Sequence, residues 1–284
     1  MEKKNYISIC ADDFGITEKV DKSIINLILN KRLTETSCIV LTQNFKNSSK
    51  ELKRTPREFG KGIHLTLTDF NSLTSPKTFT NDGKFLPFKN LFFKILKKEI
   101  LNDEIIKEIN AQLDFFEELM GTSPDFIDGH HHVHQLPIIR DLVFEILKKR
   151  YKNNLPWIRN TSESSLKILK RNVALTKTYI LSFYGLKLKK KANEEGFRTN
   201  DGFSGIYNFS NNTDYKICFI NFIKFIENNH LLMVHPGESD ENLKRIDSVT
   251  HTRNLENDFL RSNDFLDILR TKSILLRPFH TTID

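Results

Sequence analysis

The sequence predicts an α/β fold, namely a distorted (β/α) barrel of the TIM-like kind with its active site at the C-terminal ends of the strands. Short β-rich runs alternate with amphipathic helical stretches, and this alternation is typical of parallel strands joined by crossover helices. Roughly eight such runs favour a closed or partly open barrel over an open sheet. Because the 284 residues contain no Pro/Gly/Ser-rich linker and no fixed-period repeat, we expect residues 1–284 to form a single domain.

The predicted strands are short apolar runs, or runs in which apolar and polar residues alternate. In chain order they cover residues 6–12, 36–42, 61–68, 125–130, 155–160, 202–207, 230–236 and 273–278. Because the C-terminal ends of parallel barrel strands share one face, residues that are distant in the sequence are expected to converge there.

Five segments repeat apolar residues near the helical period. They cover residues 18–30, 103–120, 138–149, 219–227 and 254–269. Gly121 suits the left-handed position that ends the second segment, and Pro137 suits the first turn of the third. The stretch 160–200 is polar, lysine-rich and helical in part, so we expect a helical insertion over one face of the barrel.

Composition and charge limit the classes of partner that the protein is expected to bind. The net charge is +7, but the lysines are scattered and no recognised nucleic-acid module is present, so we expect no nucleic-acid partner. No apolar segment is long enough to span a bilayer, and the first residues lack a secretory signal, so we expect no membrane partner. Cys10, Cys38 and Cys218 lie far apart, which favours free thiols in a reducing cytoplasm.

Two adjacent carboxylates, Asp12 and Asp13, stand where the first strand's apolar run stops. Aspartate is also favoured at helix caps and turns, so a structural role is the alternative. Neighbouring side chains on extended backbone point in opposite directions. One carboxylate could therefore bind a metal while the other reaches a bound water.

Four histidines occupy five positions in the run 130–134. Neutral imidazoles bind divalent cations, and the remaining rings can orient the ligands or hold substrate. If this segment is helical, His130 and His134 share a face; if it is extended, His130 and His132 do. The sequence leaves both conformations open. Asp128 could fix the tautomer of one of these rings.

Two further histidines lie in or after predicted strands. A lone histidine such as His64, inside an alternating strand, is more often structural than a metal ligand. His235 precedes a Pro-Gly turn and could serve as a general acid or base, or could simply end the strand. Taken together, an Asp/His/His set leaves coordination positions open for hydrolysis by a metal-activated water. Zn²⁺, Co²⁺, Mn²⁺ or Ni²⁺ would suit these ligands, and an oxygen-rich remainder could accept Mg²⁺.

Four motifs and a later segment resemble the YdjC-like carbohydrate deacetylases, a family that includes chitooligosaccharide deacetylases. The motifs are ADDFG at 11–15, GIHLTLT at 62–68, IDGHHHVHQLP at 127–137 and MVHPG at 233–237. The segment around Arg253 and Glu256 resembles the family's closing Arg/Glu helix. The matches occur in the expected order along nearly the whole chain.

The resemblance implies a distorted β/α barrel that removes acetyl groups from N-acetylated sugars, such as oligosaccharides containing N-acetylglucosamine, and releases acetate. It implies one divalent metal ion, Mg²⁺ or Zn²⁺. Asp13, His64 and His130 correspond to its ligands. Asp12 corresponds to the catalytic base and His235 to the general acid.

For the other polar residues the resemblance implies supporting roles. Arg159 resembles an arginine near the substrate, and His132, His134 and Asp128 are expected to bind substrate or to orient the metal ligands. The stretch 160–200 departs from the family pattern and leaves the identity of the sugar open.

The alternatives are hydrolysis of another sugar amide or ester, such as a modified lipid-linked glycan, or a catalytically inactive protein that binds glycan or metal. Asp12 and His235 argue against the inactive protein, since binding alone needs neither. The sequence is also compatible with a homodimer.

Overall fold

Eight parallel strands form one curved sheet at the centre of the fold. The computed structural model describes residues 4–152 and 154–281. Ten strands are present in this part of the chain: β1 (Asn5–Phe14), β2 (Glu35–Cys38), β3 (Gly60–Leu65), β4 (Thr80–Asn81), β5 (Lys84–Phe85), β6 (Phe126–Gly129), β7 (Trp157–Ile158), β8 (Gly202–Ser204), β9 (His230–Val234) and β10 (Ile274–Leu276).

The order across the large sheet is β7-β6-β3-β2-β1-β9-β8, and β10 pairs with the first residues of β1. Every pairing in this sheet is parallel. The predicted fold class and all eight predicted strands are therefore confirmed. The short antiparallel hairpin of β4 and β5 was not predicted.

Eleven α-helices surround the sheet in the described residues. They are α1 (Glu18–Leu29), α2 (Gln43–Lys53), α3 (Phe88–Leu96), α4 (Asn102–Met120), α5 (Ile139–Tyr151), α6 (Ser165–Arg171), α7 (Leu175–Glu195), α8 (Tyr215–Phe222), α9 (Glu241–Ile246), α10 (His251–Arg261) and α11 (Asn263–Thr271). Three predicted helices correspond closely to α1, α4 and α5, and Gly121 ends α4 with φ of 73° as predicted.

Two helix predictions are wrong in their bounds, and local capping explains both. The predicted helix 219–227 begins earlier, because Asp214 accepts a hydrogen bond from the Ile217 amide and caps α8. The predicted helix 254–269 is two helices, because Ser262 ends α10 and its side chain accepts from the Phe265 amide to cap α11. Helices α2, α3 and α9 were not predicted.

The stretch 160–200 contains α6 and α7. Helix α7 packs closely against the backbone at Ser162 through Gly185. A Cβ atom at position 185 would lie 2.4 Å from the Ser162 amide nitrogen, so the close packing requires glycine. The opposite face of α7 is exposed, and Ile180 and Phe183 are 55% and 54% accessible to solvent. Whether residues 1–284 form one domain stays a prediction, and residues 1–3, 153 and 282–284 lie outside the described part.

Within residues 4–152 and 154–281, none of the helices combines the length and hydropathy that a bilayer crossing requires.

A pair of asparagine side chains bridges the two edge strands of the sheet. In the described residues β7 and β8 share no ladder, but Asn160 follows β7 and Asn200 precedes β8. The Asn200 Oδ1 accepts from the Asn160 amide at 2.9 Å, and the Asn200 Nδ2 donates to the Asn160 carbonyl at 2.9 Å. Both side chains are fully buried. These hydrogen bonds take the place of strand pairing between β7 and β8. We call this contact between Asn160 and Asn200 the seam.

We predict that Asn200→Ala lowers the free energy of unfolding by about 2–4 kcal/mol, because it leaves buried backbone groups of Asn160 and Gly202 without partners. Urea denaturation followed by circular dichroism measures this change. The matched control is Asn211→Ala in an exposed loop, which should change stability by less than about 0.5 kcal/mol. Equal effects of the two substitutions would contradict a structural role for the seam.

Candidate metal centre and active site

The end of β1 is bulged, and the bulge brings both aspartates to one cavity. Ala11 pairs with Thr36 and Phe14 with Cys38, so β1 has one more residue than β2 between these pairs. Asp13 takes a left-handed conformation with φ of 67°. Our expectation that the two carboxylates point in opposite directions is therefore wrong, since both line the same cavity of about 1100 Å³.

Asp13, His64 and His130 come together at this cavity. The Asp13 Oδ1 lies 3.4 Å from the His64 Nε2 and 3.3 Å from the His130 Nδ1. It is buried and has no hydrogen-bond partner among the described residues. Two ligand atoms that each lie about 2.1 Å from one ion in tetrahedral geometry are about 3.4 Å apart. The spacing and the free oxygen therefore fit a shared divalent cation.

Asp128 orients the His64 ring. The His64 Nδ1 lies 2.7 Å from the Asp128 Oδ1 and 2.9 Å from the Ser37 Oγ. Donation from Nδ1–H to the carboxylate leaves the Nε2 lone pair directed at Asp13. The Ser37 Oγ also lies 3.3 Å from the Asp12 Oδ1. Ser37 was not predicted as a site residue, because a lone serine in a strand carries no distinctive signal.

Arg253 holds the second oxygen of Asp13. Its guanidinium lies 2.5 Å from the Asp13 Oδ2 and 2.6 Å from the Asp247 Oδ2. Burial opposes ionisation of Asp13, but Arg253 and His130 together keep the pKa of that carboxyl well below its usual range. Asp13 is therefore ionised, with one oxygen fixed by Arg253 and the other free for a cation.

Arg159 is buried behind the cavity and binds two carboxylates. Its guanidinium makes two 2.6 Å hydrogen bonds to Asp12 and lies 2.7 Å from the Asp128 Oδ2. Burial alone would raise the pKa of Asp12, yet Arg159 lowers it well below its usual range. Arg159 is 0% exposed and does not line the cavity, so it contacts the site through the carboxylates it binds.

The histidine run 130–135 forms a 3₁₀ turn instead of either conformation considered from the sequence. His131 and His132 have φ of 52° and 55°, in the left-handed region. The segment is therefore neither a regular α-helix nor extended, although His130 and His132 both line the cavity. Of the four rings, that of His130 contacts the Asp13 carboxylate, and the centre of the His131 ring lies 4.1 Å from that of His130.

The other three rings of this run have separate surroundings. His131 is 45% exposed and lies 3.4 Å from the Asp69 Oδ2. His134 is buried, and its Nε2 lies 2.9 Å from the Arg159 carbonyl oxygen. Burial lowers the pKa of His134 to about 4, so the neutral ring donates to that carbonyl. His132 lines the cavity, and its Nδ1 has no partner among the described residues.

His235 follows β9 and lines the cavity together with the aspartates. Its backbone amide donates to the Glu256 Oε2 at 2.6 Å, and its ring packs edge-on against Phe209. Burial lowers the pKa of His235 to about 4, although Asp13 and Asp12 act in the opposite direction. The ring is therefore neutral at neutral pH.

Two other groups of described residues have ligand atoms within 4.8 Å of one another. Asp69 and His131 form one of them with His130, but their side chains are 35% and 45% exposed. Asp12 and Asp128 form the other with a cysteine, but both carboxylates are bound to Arg159. The group of Asp13, His64 and His130 is thus the best suited to a preorganised ion.

Two carbohydrate deacetylases resemble the chain over much of its length. The chain is 25% identical over 279 residues to a carbohydrate deacetylase of Thermoanaerobacter pseudethanolicus, which covers 96% of this chain and 98% of that protein. It is 31% identical over 185 residues to a carbohydrate deacetylase of Clostridium beijerinckii, which covers 63% of this chain and 69% of that protein.

The fold also matches a solved structure, the crystal structure of a proposed cellobiose-phosphate cleavage protein from Enterococcus faecalis V583. The TM-score is 0.70 at 22% identity, over 98% of this chain and 99% of that one. The family model described as YdjC-like protein matches residues 6–271. The chain therefore belongs to the YdjC-like family.

Proposed function

We propose that this protein is a metal-dependent carbohydrate deacetylase that hydrolyses the N-acetyl group of sugars such as N-acetylglucosamine oligosaccharides. The observation that carries the proposal is the buried, unpartnered Asp13 oxygen, which faces the ring nitrogens of His64 and His130. The two carbohydrate deacetylases that resemble the chain support the reaction class. Three free thiols accord with a reducing compartment, so we propose a cytoplasmic location.

Asp13, His64 and His130 would hold one divalent ion. When bound, such an ion would supply Lewis-acid activation of a water and of the acetamide carbonyl. Two imidazoles and one carboxylate favour Zn²⁺ or a similar transition metal over Mg²⁺, which prefers oxygen ligands.

Asp12 would act as the base that takes the proton of the attacking water. Arg159 fixes both of its oxygens, so the carboxylate is held in one orientation at the cavity wall. The same ion pair lowers the basicity of Asp12. The arrangement therefore favours accurate positioning of the carboxylate over a strong affinity for the proton.

His235 would protonate the departing amine. Because its pKa is lowered to about 4, the ring must first gain a proton during the reaction. The proton that Asp12 takes from the attacking water would supply that gain, and the negative charge regained by Asp12 favours the protonated ring. The amine then takes the proton, and the products are acetate and a free amino sugar.

The first test measures acetate release from N-acetylchitooligosaccharides. We expect the protein treated with a chelator to be inactive, and added Zn²⁺ to restore turnover more effectively than Mg²⁺ at matched free concentrations. An enzyme-linked assay for acetate measures both rates. Full activity after complete removal of metal would exclude the metal-dependent reaction.

The second test compares neighbouring histidines. We expect His130→Ala to weaken metal binding by more than the roughly 10–100-fold cost of losing an outer-shell partner. His131→Ala, the matched control, should bind metal like the wild type because its ring faces Asp69. Elemental analysis after dialysis gives both stoichiometries. Loss of metal from both variants would favour the exposed group of Asp69, His130 and His131, and an undiminished metal content in His130→Ala would exclude His130 as a ligand.

The third test concerns the base. We expect Asp12→Asn to lower kcat by about 10²–10⁴-fold while the metal content stays at the wild-type value. The exposed Asp103→Asn serves as the matched control and should retain activity. Thermal melting of each variant verifies folding, since the amide weakens a buried ion pair. Wild-type turnover in a folded Asp12→Asn protein would refute the role of Asp12.

A further inference from the structure

The cavity beside Asp13 extends well beyond the reacting groups. Its volume is about 1100 Å³, whereas pockets for drug-sized ligands typically measure roughly 300–1,000 Å³. An acetamido group next to Asp13 would occupy only a small part of this space. The remaining lining must therefore accommodate another part of the substrate.

That remaining lining exposes mainly apolar surface. Aromatic rings come from Phe88, Phe92, Tyr184 and Phe209, and aliphatic side chains from Leu136, Leu175, Ile180, Leu181, Ile206 and Val249. Polar side chains at the cavity are in part already engaged: the Lys177 Nζ donates to the Tyr207 carbonyl at 3.2 Å, and Asp247 binds Arg253 at 2.6 Å. A sugar hydroxyl that is buried without a hydrogen-bond partner costs free energy. The apolar part of the lining thus suits a hydrocarbon group.

The apolar surface continues from the cavity along α7. Ile180 lines the cavity and is also 55% exposed, and Phe183, one turn further along, is 54% exposed. The Phe92 ring of α3 packs edge-on against Tyr184 of α7, and both line the cavity. Because Gly185 seats the other face of α7 against the protein, this apolar face is directed outwards. A chain longer than the cavity could therefore leave along α7 and keep its apolar contacts.

We propose that the substrate is an N-acetylated sugar that carries a long apolar aglycone, with the acetamido group at Asp13 and the aglycone along the apolar lining. This inference rests on the proposed function and narrows its substrate class. Water adds its oxygen to the acetyl carbon, the C–N bond breaks, and the nitrogen takes a proton. The products are acetate and an amino sugar that is still joined to its aglycone.

The experiment compares the methyl and octyl glycosides of N-acetylglucosamine, with the octyl compound kept below its micelle concentration and the metal supplied. Fully burying one methylene is worth about fourfold in affinity. We therefore expect kcat/KM for the octyl glycoside to exceed that for the methyl glycoside by about 100-fold, even if only part of the chain is buried. Acetate release measures both values.

A pair of variants tests where the aglycone binds. Ile180→Asn should reduce the octyl-to-methyl ratio of kcat/KM by about tenfold, because it places an amide beside the chain. Leu169→Asn is the matched control, since Leu169 is 57% exposed on α6 and lies outside the lining. It should leave the ratio unchanged. A ratio that Ile180→Asn does not alter would overturn the assignment of the cavity.

A third substrate, N-acetylchitotriose, distinguishes failure of the apolar-aglycone proposal from failure of the proposed deacetylase function. Acetate from this trisaccharide, together with equal kcat/KM for the two glycosides, would overturn the apolar aglycone and leave the deacetylase intact. If neither the glycosides nor the trisaccharide yields acetate with metal supplied, the proposed function itself fails.

Discussion

One buried guanidinium organises the candidate site. Arg159 binds Asp12 from β1 and Asp128 from β6, and Asp128 in turn orients His64 from β3. Burying any of these groups as an isolated charge would be strongly unfavourable. Removing one partner from such a buried ion pair lowers the free energy of unfolding by about 3–5 kcal/mol. The two carboxylates therefore stabilise Arg159 while Arg159 fixes their positions. The proposed base and the orientation of one proposed metal ligand depend on the same ion-pair network.

The second constraint is the backbone at the end of β1. A regular strand would send the side chains of Asp12 and Asp13 to opposite faces. The bulge and the left-handed Asp13 bring both to the cavity, and aspartate is among the residues that tolerate this conformation. Arg253 then holds one oxygen of Asp13 and leaves the other free. The local strain thus serves to present two adjacent carboxylates to one site.

The strands and the convergence of their ends could be predicted, because polarity repeats every two residues in a strand and parallel strands end at one face. The bulge at Asp13 and the 3₁₀ turn at His130–Gln135 could not, since both break the periods on which the prediction relies. The role of Ser37 depends on contacts across strands, which a single sequence does not display. The helix break at Ser262 would have been visible as a capping serine, and the apolar period of the surrounding segment concealed it.

Arg159 and Asn160 are consecutive residues. The contact that closes one edge of the sheet is therefore adjacent to the ion pair that positions Asp12. Asn160 forms hydrogen bonds with Asn200 at the seam, while the guanidinium of Arg159 forms hydrogen bonds with Asp12. Between β7 and β8 a few hydrogen bonds stand in for a full ladder, and they lie next to the ion pair of Arg159 and Asp12. A separation of β7 from β8 at this point would move Arg159 relative to Asp12. The packing of one sheet edge and the geometry of the candidate site are therefore coupled through two neighbouring residues.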